Sequence, residues 1–283
     1  MKLGIVMEGG ASRTFFSCGI CDVFLKEGIY PDYFIGVSAG IAYGVSYISK
    51  QYGRNLEFTK KYMHKKKYMG MHHLLNPQKR CYYNLSFAFD EVPNRLVPFD
   101  YKTFAEFQGK CVAVVTNIHT GKAEYIEVPA YERHWETTIA SCSLPILFPP
   151  AKLGSDLYLD GGLVDSIPYE QAVLEGCDKI IVLLTRPRRY QKGQEKGLGL
   201  IKALYKKYPK VVEAIERRPE QYNQSSQRLL ELEKEGKVFV MAPEKELGVK
   251  RTEGRWERLE PTYKEGVRTA QKELPRLKHY LQD

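Results

Sequence analysis

Within its first 48 residues the chain twice runs from a short apolar stretch through a glycine-bearing turn into a helical pattern. Leu3–Met7 is apolar with β-branched members and is followed by Gly9-Gly10, which reads as a buried strand ending in a turn. From about Phe15 to Glu27 the side chains of Phe16, Ile20, Val23 and Phe24 recur at helical spacing, and Gly28 is placed to stop the helix. Tyr33–Val37 is a second short strand, and Ile41–Ile48 a second helix rich in small and apolar residues. Strand, turn and helix repeated in this way predict an α/β fold with a mainly parallel sheet.

The rest of the chain extends that pattern. Further strands are expected at Cys111–Val115, Lys179–Leu184 and Lys237–Met241. A helix over Tyr169–Glu175 precedes the second of these, with Gly176 as its stop. Pro261–Leu281 carries a long amphipathic helical pattern. Two zones are irregular: Tyr62–Asp100, which mixes methionine, aromatic and basic residues, and the basic linker Arg186–Gly197. The linker is followed by a charged helical stretch to about Glu235.

Composition divides the chain at the same linker. With 283 residues, 43% hydrophobic and 27% charged, the chain can bury a sizeable core and is not disordered as a whole. Its formal charge is +9, yet residues 1–185 carry 19 basic and 19 acidic side chains, so the whole excess lies in residues 186–283. Two regions are therefore expected: 1–185, neutral overall, and 186–283, a basic, mainly helical region packed on it and partly completing it. The apolar run at the N-terminus is too short for a signal-peptide core, and no stretch approaches the roughly 18 apolar residues of a membrane span. A cytoplasmic location is expected, with any membrane contact made peripherally at the inner face. Cys18 and Cys21 form a C-x-x-C without a second pair, and their apolar surroundings favour small core residues over metal or redox chemistry.

The sharpest chemical signal is Gly36-Val37-Ser38-Ala39-Gly40, a G-x-S-x-G between an expected strand and an expected helix. A tight turn there pushes the serine side chain into the open, and the small flanking residues suit the crowding. The following helix directs its N-terminal N–H groups toward the site, which favours developing negative charge. A nucleophilic serine needs a base. Of the six histidines (His64, His72, His73, His119, His134 and His279) only His279 is late in the chain, and it sits within the terminal helix rather than on a loop. An aspartate can serve if it reaches the serine. Asp160, in Tyr158-Leu159-Asp160-Gly161-Gly162, stands before paired glycines; Asp156 and Asp165 are its rivals. A third element, Glu8-Gly9-Gly10-Ala11-Ser12-Arg13, offers backbone N–H groups to an oxyanion. The competing nucleotide-phosphate reading lacks both G-x-G-x-x-G and the P-loop pattern.

Together these elements, in this order, resemble the patatin-like phospholipase family, as does Ala140–Pro150 ahead of the Asp-Gly-Gly. The resemblance covers roughly residues 3–185 and implies a three-layer architecture with a helix-rich C-terminal extension. By it, Ser38 is the nucleophile and Asp160 the base of a Ser-Asp dyad. Gly9, Gly10 and Ala11 supply the oxyanion hole, with Arg13, Gly36, Gly40, Gly161 and Gly162 as supporting residues. Two positions depart from the family pattern: Ala11 stands where a third glycine is usual, and Thr14 where a glycine follows the basic residue. The implied activity is serine acyl-ester hydrolysis of lipid, of phospholipase A type, with neither metal nor other cofactor. The alternative is a catalytically silent patatin-fold module that binds lipid or protein. Expected partners are a lipid or acyl-ester substrate and an anionic membrane surface, not nucleic acid. Docking residues are sought among Arg186, Arg188, Arg189, Lys202, Lys206, Lys207 and Lys210, and the acyl pocket in Tyr62–Asp100.

Overall fold

In the computed structural model, which describes residues 1–75, 81–194 and 197–282, the apolar runs pair into one eight-stranded sheet. The strands are β1 (Leu3–Met7), β2 (Tyr33–Val37), β3 (Lys110–Asn117), β4 (Ala123–Glu127), β5 (Ala151–Leu153), β6 (Asp156–Asp160), β7 (Lys179–Leu183) and β8 (Phe239–Met241). They run in the order β5-β6-β3-β2-β1-β7-β8, with β4 paired to β3. From β3 to β8 every neighbouring pair along that order is parallel; β4, β5 and β6 form an antiparallel arm.

Helices α1 (Phe15–Lys26) and α2 (Ala39–Ile48) follow the first two strands. Short helices α3 (Arg54–Phe58), α4 (Met71–Leu74) and α5 (Tyr101–Ala105), with wide π-helical turns at Thr59–Met63 and Phe87–Leu96, fill the excursion before β3. Then come α6 (Glu136–Cys142), α7 (Tyr169–Leu174), α8 (Leu198–Leu204), α9 (Pro209–Lys234) and α10 (Trp256–Gln282).

The central strands are buried on both faces, which explains why they read as continuous apolar runs rather than alternating ones. Their side chains still alternate in space. Ile5, Met7, Phe34, Ala113, Ile181 and Leu183 meet α1, α2 and α10 through Phe16, Phe24, Ile41, Val45 and Leu277. Val6, Ile35, Val37, Val114, Val182 and Leu184 face the opposite layer, where Tyr169 and Ala172 of α7 and Tyr222 and Leu229 of α9 cover them. Each such buried side chain stabilises the sandwich by roughly 1.5–3 kcal/mol. The result is the expected three-layer α/β sandwich.

The last hundred residues contribute to both layers and to the sheet. β8 extends the sheet beside β7. α10 packs so closely on α1 that a Cβ at Gly266 would lie 1.9 Å from the Phe16 carbonyl oxygen. The Tyr263 hydroxyl donates to Asp22 at 2.9 Å, and Lys278 pairs with Glu27 at 2.8 Å. Two details differ from expectation. The terminal helix starts at Trp256, ahead of Pro261, and runs through both Pro261 and Pro275. The charged stretch before β8 is two helices, α8 and α9, with Pro209 opening the second where its missing N–H is harmless.

Candidate active site

A single residue separates β2 from α2, and that residue is Ser38. Its backbone sits at φ 54° and ψ −124°, a region that costs a non-glycine residue about 1–3 kcal/mol. The turn is held from three sides. The Ser38 N–H donates to the Ser141 hydroxyl at 2.9 Å, and that hydroxyl donates onward to the Val114 carbonyl at 2.7 Å. The Ser38 carbonyl accepts from Ile41 and Ala42 in the first turn of α2. Gly40 lets the helix settle on β1, because a Cβ there would lie 2.2 Å from the Met7 carbonyl oxygen.

Register brings Asp160 to this turn. Along β3, residues Val112–Val114 pair with both β2 and β4, so β2 and β4 occupy opposite edges. Val115 and Thr116 pair with both β4 and β6, which places β6 on the β2 edge. Val37 pairs with Val114 and Asp160 with Val115, so the two strands meet end to end with Ser38 and Asp160 at the junction. Ser38 is 9% exposed and Asp160 2%. The Asp160 backbone is fixed by N–H donation to the Ser143 carbonyl at 3.0 Å and by the Thr116 hydroxyl on its own carbonyl at 2.9 Å. Its Oδ1 accepts from the Gly162 N–H at 2.8 Å; Oδ2 is buried and makes no well-formed hydrogen bond among the described residues. Burial pushes the Asp160 pKa above the ordinary carboxylate value. The Ser38 hydroxyl, then Arg218, the Gly162 N–H and Arg251, oppose that rise by favouring the ionised form.

The loop after β1 forms the third wall. Glu8 is buried, and its carboxylate accepts from the Thr185 N–H at 2.5 Å, the Thr185 hydroxyl at 3.0 Å and the Tyr222 hydroxyl at 2.8 Å. Burial raises its pKa against those three hydrogen bonds. Gly9 follows in a space so narrow that a Cβ would lie 2.6 Å from the Val37 carbonyl oxygen. The N–H groups of Gly9 and Gly10 have no acceptor among the described residues. Ala11 adopts φ 49°, the left-handed conformation that glycine takes without penalty. Ser12 ties the loop to the C-terminal region, its hydroxyl lying 2.9 Å from the Arg251 carbonyl and 2.8 Å from that of Glu253.

Gly9, Gly10, Ala11, Arg13, Ser38, Asp160 and Gly162 thus line one recess. Gly36, Gly40 and Gly161 lie outside it, beneath the turns that carry Ser38 and Asp160. Neither rival aspartate reaches it: Asp165 accepts from the Tyr125 hydroxyl at 2.9 Å, and Asp156 from its neighbour Ser155 at 3.1 Å. None of the six histidines lines it. On the other side of Ser38 opens an apolar chamber. Met63, Tyr83 and Phe89 from the expected Tyr62–Asp100 zone line it, alongside Tyr68, Val92 and Pro93. Phe87 instead packs in the core, and Met71 and Leu75 face outward. Cys142 also lines the chamber beside Ser38, its thiol pKa pushed well up by burial. Cys18 and Cys21 are buried core thiols, as their apolar surroundings suggest.

Several residues at the site are not marked by the catalytic motifs. Ser141, Thr185, Tyr222, Arg186, Lys192, Arg218 and Arg251 arrive from distant segments; Ser141 lies within the segment that resembles the family ahead of the Asp-Gly-Gly, and Arg186 and Lys192 lie in the basic linker, where the sequence points to a membrane surface rather than to the recess.

The profile of a domain of unknown function, DUF6363, matches residues 208–282. The uncharacterized protein YjjU of Escherichia coli (strain K12) is 24% identical over 190 residues, covering 66% of this chain and 52% of its own. Lysophospholipase NTE1 of Saccharomyces cerevisiae is 26% identical over 191 residues, covering 64% of this chain and 10% of its own. The chain therefore spans about half the length of the first relative and about a tenth of the second. The crystal structure of VipD from Legionella pneumophila superimposes with a TM-score of 0.42 at 13% identity, over 96% of this chain and 67% of its own. The patatin-like phospholipase profile matches residues 5–173, more than half of the chain and all three elements of the recess. The chain belongs to the patatin-like phospholipase family.

Proposed function

We propose that this chain is a serine hydrolase of lipid acyl esters, of phospholipase A type, with Ser38 as nucleophile and Asp160 as its base. The meeting of Ser38 and Asp160 at adjacent register positions of β3 carries this reading. As the Ser38 oxygen attacks the ester carbonyl, its proton passes to Asp160 Oδ2, the carboxylate oxygen without a committed partner. The carbonyl oxygen becomes an oxyanion held by the N–H groups of Gly9 and Gly10, with Ala11 completing the loop. Collapse breaks the bond to the alcohol, which leaves with the proton from Asp160. Water, activated by the same carboxylate, then releases the acid and restores Ser38. A buried carboxylate with a raised pKa is a stronger base than a solvated one, which suits a site without histidine.

On this reading the chemistry belongs to residues 1–185, and the basic, mainly helical residues 186–283 pack on them and complete the sheet. The chamber takes the acyl chain, and a cytoplasmic protein would meet its lipid at the inner membrane face. Among the described residues no helix is long and apolar enough to cross a membrane; peripheral contact is part of the proposal. The relatives that carry the name lysophospholipase make a single-chain phospholipid a fitting substrate. The test is hydrolysis of a p-nitrophenyl acyl ester by the wild type, Ser38→Ala and Asp160→Asn. Both variants should fall by at least about a thousandfold; full activity in Ser38→Ala would refute the assignment.

A further inference from the structure

Just beyond β7, the buried Thr185 touches the glycine loop from beneath. Its N–H donates to the Glu8 carboxylate at 2.5 Å, and its hydroxyl lies 3.0 Å from the same carboxylate oxygen. That hydroxyl is also 3.0 Å from the Gly9 carbonyl oxygen, so its single proton is shared between two acceptors. Gly10 rests on the same side chain: a Cβ there would lie 2.6 Å from the Thr185 hydroxyl oxygen and 3.0 Å from its Cβ. The far oxygen of Glu8 is held by the Tyr222 hydroxyl of α9 at 2.8 Å, and Tyr222 is itself buried against the sheet. Thr185 falls between the two matched profiles, after residue 173 and before residue 208, and Tyr222 falls within the second.

The Gly9 carbonyl and the Gly10 N–H belong to one planar trans peptide, so they point in opposite directions. Holding the carbonyl on Thr185 therefore aims the Gly10 N–H away from Thr185. That N–H has no acceptor among the described residues, and Gly10 lines the recess with Ser38 while Thr185 does not. Glycine resists rotation weakly on either side of this peptide, so an unheld Gly9-Gly10 link would turn its N–H through many directions. A hydrogen bond on the carbonyl also polarises the N–H at the other end of the peptide, which strengthens it as a donor.

We propose that Thr185 is a positioning residue of the oxyanion hole: through the Gly9 carbonyl it fixes the direction of the Gly10 N–H. Glu8 and Tyr222 hold Thr185 in turn, so a residue of α9 reaches the glycine loop through two side chains. The role in catalysis rests on the acyl-ester reading above, whereas the fixed direction of the peptide does not.

Thr185→Val keeps the shape of the side chain and removes the hydroxyl. With a p-nitrophenyl acyl ester its kcat should fall at least about tenfold, a fraction of what a deleted oxyanion donor costs, while KM stays within about twofold. Thr185→Ser restores the hydroxyl and should recover at least about half of the wild-type kcat. Thr185→Ala, which is smaller than the space it must fill, carries the same expectation if valine prevents folding. A second readout needs no turnover. The order parameter of the Gly10 amide, from 15N relaxation, should fall from about 0.85 to below about 0.6 without the hydroxyl and return with serine. A Gly10 amide that stays ordered without the hydroxyl overturns the proposal. So does an unchanged kcat in a protein whose wild type hydrolyses the ester, a loss confined to KM, or a serine variant no better than valine. A wild type that leaves the ester intact while the Gly10 amide responds as expected would strike the acyl-ester reading alone.

Discussion

Asp160 illustrates how one side chain is pulled by stability and chemistry in opposite directions. Burial raises its pKa in the folded state, so the native protein holds that proton more tightly than the unfolded chain does. Stability from this group is therefore greatest at acid pH and declines as pH rises from the unfolded carboxylate value of about 3.9 through the higher folded value. With Asp160 as the proposed base, catalysis would need the ionised form, so activity should be lost as pH falls through that same raised value. Asp160→Asn keeps the Oδ1 acceptor for the Gly162 N–H and removes the buried charge. It should abolish hydrolysis while raising the neutral-pH melting temperature by about 2 °C or more; a lower melting temperature would contradict the burial argument. Ala11 bears a smaller strain. Its left-handed φ of 49° costs an alanine about 1 kcal/mol that glycine avoids. Ala11→Gly should therefore be more stable by about that amount in urea unfolding, and a destabilised variant would show that the methyl group packs usefully.

Among the elements, legibility follows burial. β1, β2, β3 and β7 are buried on both faces and read directly from their unbroken apolar runs. The antiparallel arm escapes notice for the opposite reason. Ala123–Glu127 is a partly exposed edge strand with two glutamates, and Ala151–Leu153 is only three residues long. Asp160 stands out in the sequence because paired glycines follow it, but its approach to Ser38 depends on β6 running antiparallel on the edge that β2 occupies. No local pattern encodes that register. The glycine loop and the G-x-S-x-G are legible because each is closed within a few residues of one strand end. The cations of the recess are not: Arg218 and Arg251 lie in helical and irregular stretches whose charges look like ordinary solvated surface. The chamber is half legible, since composition marks the Tyr62–Asp100 zone as too apolar for a plain loop. Which of its side chains turn inward is set by the π-helical turns, not by composition.

At the scale of the whole molecule, the +9 charge is more structured than its count implies. Arg186, Arg188, Lys202 and Lys210 pair with Glu246, Glu233, Glu216 and Glu213 respectively, which reduces what they can offer a membrane. Beside them α8 turns Ile201 into the core and leaves Leu200 and Leu204 exposed, followed by Lys206 and Lys207. Ile201 shares a cavity wall with Leu144, which also borders the chamber, so α8 lies near that chamber. Exposed leucines next to lysines suit the headgroup boundary of an anionic bilayer. Leu200→Glu/Leu204→Glu should lower co-sedimentation with anionic vesicles by about tenfold or more; unchanged binding would remove this face from the account. The proposed chemistry sits at Ser38. It is tested most directly by treating the purified protein with a fluorophosphonate and locating the adduct by peptide mass spectrometry. A single phosphonylated site is expected at Ser38, absent in Ser38→Ala and strongly slowed in Asp160→Asn. A folded wild-type protein that stays unlabelled at Ser38, or labels equally well without Asp160, would contradict it.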